Sequence, residues 1–497
     1  MSSVVSLEGY AKTTYVSPIM PFINCLTNGS AMNSMIKKLT KAFHPSAPKT
    51  PEVQGFYGHA GVTPEQFDAH WMPFTGNREF KQNPRMIVGA DGAYLIAADG
   101  RKIFDGLSGL WTTGLGHCRP EITAAIAKQS STLDFCSPFQ HGHPASFRLA
   151  ERITQFMPAG LNRVFFTNSG SESADTSLKM ARAYWRKKGM GSKTRLIGRA
   201  KGYHGVNFGG ISVGGIVGNR ATFGQTLESD HLAHTMLPDN LFSRGMPEHG
   251  AHLANELLDL VTLHDASNIA AVIIEPMAGS AGVIPPPVGY LERLREICDQ
   301  HNILLIFDEV ITAFGRVGAA TGAEEFAVVP DIINIAKQMT NGTVPMGAVI
   351  AKQEIHDTFM DGGGLDYMIE FPHGYTYSAH PLACAASLAA LDVLENDNMF
   401  ERVQAIAPVL EKAIHGLQGA KHVTDIRNYG SAAGITLAAV PGEPAKRPFE
   451  AAMKCWEKGF YVRYGGDTLQ LGLPFITTEH EIDLVVNAIG EALHEID

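Results

Sequence analysis

From about residue 68 onward, short apolar runs alternate with longer amphipathic stretches, and this alternation limits the possible folds more than any other feature. The apolar runs lie at 163–166, 194–197, 270–274 and 303–307, and the stretches with helical spacing at 171–188, 251–264 and 290–301. Runs this short, apolar at both odd and even positions, suit strands covered on both faces. Strand followed by helix, repeated, predicts a largely parallel sheet in an α/β architecture. After about residue 384 the pattern changes: helix-like stretches at 385–395 and 400–417 lead into strand-like runs near 435–437 and 460–463. That composition predicts a smaller α+β unit. Residues 84–110 carry a hairpin-like pattern around Asp91-Gly92 and Asp99-Gly100 and are expected to join it, which makes the smaller unit discontinuous.

At 497 residues the chain exceeds what one growing core supports. A formal charge of −10 argues against a general binder of nucleic acid or of membrane surfaces, since both are polyanions. No apolar run is long enough for a membrane span of about 20 residues. Six cysteines are scattered without paired spacing, which points to reduced thiols in a cytoplasmic compartment. Residues 1–60 stand apart: no acid occurs between Glu8 and Glu52, while five lysines do. The absence of arginine there disfavours a targeting segment, and an irregular extension is expected.

In open parallel sheets ligands gather at the carboxyl ends of strands, so the polar residues that follow each apolar run are the natural place to look for chemistry. Four such places stand out. Ser169-Gly170-Ser171 falls between a run and a helical stretch, where backbone N–H groups and two hydroxyls could cradle a phosphate or simply cap the helix. Tyr203-His204-Gly205 follows the 194–197 run; its ring could stack on a flat cofactor or belong to the core. Asp308 ends the most apolar run and needs a cationic partner, either a heterocycle or a nearby arginine such as Arg316. Lys337 follows 331–336, where burial would lower the ammonium pKa and make the amine nucleophilic. A phosphate cradle, a stacking ring, a carboxylate for a ring nitrogen and a Schiff-base lysine are together the parts that pyridoxal 5'-phosphate (PLP) requires. His141-Gly142-His143 has no further ligand at metal spacing, and Gly209-Gly210 to Gly214-Gly215 lacks the Gly-Lys-Ser/Thr of a nucleotide loop, so neither metal nor nucleotide is expected.

The stretches Asp308-Glu309-Val310-Ile311-Thr312, Ala336-Lys337 and Ser169-Gly170-Ser171-Glu172 resemble the motifs of class III aminotransferases, fold-type I PLP enzymes. Further stretches, among them Asp68-Ala69-His70-Trp71-Met72-Pro73, Leu107-Ser108-Gly109-Leu110-Trp111, Thr376-Tyr377-Ser378-Ala379-His380-Pro381 and Tyr461-Val462-Arg463-Tyr464-Gly465-Gly466-Asp467, resemble the ω-amino acid–pyruvate (β-alanine–pyruvate) subgroup. The likeness runs from about residue 66 to the end. It implies a large domain, 116–384, with a mostly parallel seven-stranded sheet, and a small domain made of 61–115 and 385–497. It also implies site roles. Lys337 would carry the cofactor and move the proton, and Asp308 would pair with the pyridine nitrogen. Ser169, Gly170 and Ser171 would hold the phosphate. Tyr203 and Val310 would pack on opposite ring faces, supported by His204 and Glu275. Thr376 would reach the phosphate from a neighbouring subunit, which requires a homodimer and allows a tetramer. Arg463 would receive the substrate carboxylate, and Trp111 would line the carbon-chain pocket. The implied reaction transfers the amino group of β-alanine, another ω-amino acid or an amine to pyruvate, through pyridoxamine phosphate.

Two departures bear on the substrate. Relatives that accept glutamate carry a Glu shielding the arginine where this chain has Ser280, which favours alanine and pyruvate over glutamate and 2-oxoglutarate. Ile311 stands where others have Gln, and Ala313 where the subgroup has Gly. A different amino donor (4-aminobutyrate, taurine, a diamine or an aryl amine) and a different PLP chemistry on the same scaffold are the alternatives.

Overall fold

The computed structural model describes residues 61–497, so the expectations for residues 1–60 lie outside the described part. The chain divides into two compact units at Pro84/Arg85. In the first unit, helix Pro64–Ala69 begins with a capping box between Thr63 and Gln66, a second helix spans Asn77–Gln82, and the rings of Phe67 and Phe80 stack at 6.2 Å.

The second unit, Arg85–Asp497, holds three sheets. Its first strands form a meander of β1 (Ile87–Asp91), β2 (Tyr94–Ala97) and β3 (Lys102–Asp105). The turns fall at Gly92 and Gly100, both with positive φ. The largest sheet contains β4 (Leu161–Thr167), β5 (Arg195–Arg199), β6 (Ser229–Leu232), β7 (Ile269–Ile274), β8 (Leu304–Asp308), β9 (Ile332–Ile335) and β10 (Gly347–Lys352). Their order is β4-β10-β9-β8-β7-β5-β6, and β10 alone runs against its neighbours. Every residue of β7, β8 and β9 is buried, which explains why these strands read as unbroken apolar runs rather than alternating ones. One sheet face packs under helix Gly170–Lys187, with Leu178, Ala181 and Trp185 against Ile273, Ile306, Ile332 and Val349. Ile274, Phe307, Ile333 and Ile350 face the other core, with helices Tyr290–Gln300 and Pro381–Asn396.

The third sheet joins β11 (Val423–Tyr429), β12 (Ala432–Leu437), β14 (Arg463–Gly465) and β15 (Thr468–Gly472) in the order β11-β12-β15-β14, all antiparallel. One face, with Ala433, Ile435, Leu437, Leu469 and Leu471, buries against helices Lys446–Glu457 and Glu479–Glu495. Strand β13 (Phe460–Tyr461) pairs in parallel with β3 and completes the first sheet. The single run expected at 460–463 is therefore two strands in two sheets, divided at the buried Val462. The helix expected at 251–264 likewise splits into a tight 3₁₀ turn, Ala251–Asn255, and an α-helix, Glu256–His264. Gly250 enters that turn at φ 132, a backbone conformation open to glycine. Strands β6, β10, β11 and β15 were not among the runs read from the sequence. Among the described residues no helix is long and apolar enough to cross a membrane.

Candidate active site

The carboxyl ends of β4, β5, β7, β8 and β9 share one edge of the large sheet, and the sequence-selected residues converge there. Asp308 closes β8, Glu275 follows β7, Lys337 lies two residues past β9, and Tyr203-His204 follow β5. Nδ1 of His204 donates to Asp308 Oδ2 at 2.8 Å, and the backbone N–H of Val310 donates to Oδ1 at 3.2 Å. Both side chains of this pair are buried. Asp308 is thus held by His204. Arg316, the alternative partner, instead donates to Ser431 Oγ at 3.0 Å, to the Leu473 carbonyl at 2.6 Å and to Ser108 Oγ at 3.2 Å.

Glu275 Oε1 accepts the N–H of Tyr203 at 2.9 Å and Oε2 that of Gly279 at 3.3 Å, which ties the β5 and β7 loops together. Burial pushes its pKa up to about 7; His204 opposes the shift and Asp308 reinforces it. Burial also drives the Lys337 ammonium down to about 8, although the carboxylates of Asp308 and Glu275 pull the other way. The residue sits at φ 47, the start of a 3₁₀ turn. The next turn residues anchor the neighbouring loop. Gln338 Oε1 accepts from Gly114 N at 2.7 Å, and Asn341 Oδ1 accepts from Leu115 N at 3.0 Å.

Ser169 is the N-cap of helix Gly170–Lys187: its Oγ accepts the N–H of Glu172, and the Glu172 carboxylate accepts that of Asn168. The capping reading of this hydroxyl is therefore correct, although its proton remains free to be donated. Ser171 Oγ accepts from Val206 N at 3.1 Å. The close approach of strand end to helix explains the glycine: a Cβ on Gly170 would stand 2.8 and 2.9 Å from the methyls of Val310. Gly205, at φ 90, faces Ser171 in the same way.

A buried carboxyl group hydrogen-bonded to an imidazole, a lysine of lowered pKa and a helix N-terminus on one sheet edge form a site for a phosphorylated cofactor with a basic ring nitrogen. The match to the family Aminotransferase class-III extends over residues 75–493. The chain belongs to the class III aminotransferases. It is accordingly a PLP-dependent aminotransferase of the fold-type I architecture. It is 62% identical over 429 residues to the β-alanine–pyruvate aminotransferase of Pseudomonas aeruginosa, covering 86% of this chain and 96% of that one. It is 58% identical to the ω-amino acid–pyruvate aminotransferase of Pseudomonas putida, covering 88% and 99%. Among solved structures, an amine transaminase from an uncultivated Pseudomonas species, in a PLP-bound form, superposes with a TM-score of 0.79 at 35% identity, covering 86% and 99%.

The residues of this class III chain fit PLP. His204 leaves Nε2 buried without a partner, and no hydrogen bond engages the Lys337 amine among the described residues. Arg463, on β14, is partly buried and its guanidinium has neither hydrogen bond nor ion pair among the described residues, yet its charge bears on both Lys337 and Tyr203. Thr376 is exposed in a loop. Trp111 is placed differently from expectation. Its ring is 1% exposed, packed over Gly472 and 5.5 Å from the Arg316 guanidinium, so in this conformation it is core rather than open pocket wall. Arg199, the last residue of β5, was not singled out by the search past the apolar runs, although its Nη2 donates to the Glu275 carbonyl at 3.0 Å.

Proposed function

We propose that this aminotransferase moves the amino group of β-alanine, or a related ω-amino acid or amine, to pyruvate, giving L-alanine and a semialdehyde or ketone. The observation that carries this reading is Arg463: a half-buried guanidinium with no ionic partner among the described residues, set near the reactive lysine, is a receptor for a substrate carboxylate. The relatives named for β-alanine–pyruvate and ω-amino acid–pyruvate transfer point the same way. The loop after β7 has Ser280 where relatives that accept glutamate carry a shielding Glu, which favours pyruvate and β-alanine over glutamate as the partners of Arg463.

The residues divide the work. Bound PLP supplies an electron sink and carries the amino group between the two half-reactions. Gly170 and Ser171 hold its phosphate at the helix N-terminus, with Ser169 shaping that turn. Tyr203 and Val310 flank the ring. Asp308, oriented by the hydrogen bond from His204, would pair with the ring nitrogen, and Glu275 ties Tyr203 in place. Lys337 would hold the cofactor, and once the substrate's amino group displaces it, its freed amine would take the proton from the donor carbon and return it to the acceptor carbon. Thr376 completes the phosphate site from a second copy, so we place the working unit as a homodimer, and the unpaired cysteine pattern fits a cytoplasmic enzyme. We further propose the domain division at 115/116 and 384/385.

The test is an absorbance spectrum of the purified enzyme. Its visible cofactor band should fade with β-alanine and return with pyruvate, one alanine appearing per band recovered. A band that ignores β-alanine but fades with another amine changes the donor, whereas no band after added PLP sinks the reading.

A further inference from the structure

Arg463 and Gln470 stand directly opposite each other across the β14–β15 pair. Directly opposed residues of an antiparallel pair project from the same face, with Cβ atoms about 4.5–5.5 Å apart. Val462, Leu469 and Leu471 point into the core on the other side. The Arg463–Gln470 face looks toward the loop that follows β7. Gln470 Nε2 donates to the Ser280 carbonyl at 3.1 Å, and a Cβ on Gly465, two residues from Arg463, would come within 3.2 Å of that same nitrogen.

Gln470 is 0% exposed, and its Oε1 has no hydrogen-bond partner among the described residues. Such an atom is rare because its desolvation goes uncompensated. Turning the amide over does not help, since that would break the bond to Ser280. The opposed guanidinium also lacks an acceptor among the described residues. An orphan acceptor and an orphan charged donor therefore sit at adjacent positions on one face.

We infer that Gln470 is a positioning residue for Arg463: its Oε1 takes a guanidinium N–H when the bound substrate has no carboxylate and releases it when a carboxylate arrives. The inference rests on the carboxylate-receiving role proposed for Arg463. A neutral amide suits the task. A carboxylate at this place would hold the guanidinium with charge-assisted bonds and compete with the substrate, whereas an amide oxygen loses to any incoming carboxylate. The other orphan near this face is Trp111 Nε1, whose ring lies over Gly472. A single neutral N–H is a weaker claimant than a guanidinium with five donors.

The holoenzyme variants Gln470→Met and Gln470→Glu, each alone and combined with Arg463→Ala, test this with KM and kcat for pyruvate, β-alanine and benzylamine. Removing the acceptor in Gln470→Met should raise KM for benzylamine about fivefold and leave the two carboxylate substrates within about twofold. Gln470→Glu should do the reverse, raising KM for pyruvate and β-alanine about tenfold or more with benzylamine little changed. Neither selectivity should survive in the Arg463→Ala background. Thermal melting accompanies each variant; if the buried glutamate prevents folding, the apolar Gln470→Met decides alone. Equal KM changes for all three substrates, or selectivity that persists without Arg463, overturn the inference. If Arg463→Ala itself treats the three alike, the carboxylate reading fails and takes the inference with it. If Arg463→Ala discriminates and the Gln470 variants do not, the inference fails alone.

Discussion

The edge of the large sheet and the inner face of the small sheet handle buried charge in opposite ways. At the large-sheet edge each carboxylate is matched within the chain, Asp308 by His204 and Val310, Glu275 by the N–H groups of Tyr203 and Gly279. At the small-sheet face the Arg463 guanidinium and the Gln470 amide oxygen are left unmatched among the described residues. A group that serves a resident cofactor can be fixed once, because its partner never leaves. A group that must meet two different substrates in alternate half-reactions gains from having no permanent partner. Arg427 makes the contrast sharper. It lies on the same small sheet and is fully engaged, by Asp425, by the Gly282 carbonyl at 2.9 Å and by Thr436 Oγ1 at 3.0 Å. Arginine is therefore not left free by default here, and the openness of Arg463 is specific to its position.

The comparison breaks most visibly at the fixed edge. Lys337→Ala should lower transamination by roughly 10²–10⁴-fold or more, because it removes the proton-transfer group. Turnover at the wild-type rate in the purified variant would sink the lysine assignment. Asp308→Ala leaves the buried Nδ1 of His204 without its acceptor, and such an unsatisfied buried donor costs about 1–3 kcal/mol. It should lower both the melting temperature and the affinity for PLP, the latter read by titrating cofactor into the cofactor-free protein. Normal stability with normal PLP affinity would mean that the pair does neither job. At the open face, Arg463→Ala should cut kcat/KM for pyruvate and β-alanine by about 10–100-fold, the worth of charge-assisted hydrogen bonds, with benzylamine losing far less. Melting should barely change, since the guanidinium supports nothing else among the described residues.

The same contrast accounts for what could be read in the sequence. Strands β7 and β8 are buried on both faces, so their runs are unmistakable, and Glu275 and Asp308 are found one step past them. The small sheet hides its register: Arg463 and Gln470 become neighbours only through the β14–β15 turn, and β14 is three residues long. A strand so short has no periodicity to detect. Strand β6, with its Ser-Asp-His-Leu sequence, is an edge strand with no apolar signature. The placement of Trp111 was hidden for another reason. It depends on a loop in which Ser108 and Trp111 both adopt positive φ, held by Asp105 accepting the N–H groups of Leu107 and Gly109. No local spacing announces such a loop.

The mildest test concerns pH. Lys337 must be uncharged to attack an incoming aldehyde carbon, and a solvated lysine would be almost wholly protonated at pH 8. Burial lowers this ammonium to about 8. The sign follows directly: a depressed lysine pKa enlarges the neutral fraction at every pH below the ordinary value, so the effect is seen between about pH 7 and 9 rather than near 10. Cofactor-free enzyme mixed with PLP should develop its visible band at a rate that climbs about tenfold from pH 7 to 8.5 and then levels. If the rate keeps rising in proportion to hydroxide through pH 10, the amine is an ordinary lysine. The large-sheet edge would then lack the low-dielectric character that distinguishes it from the open face carrying Arg463.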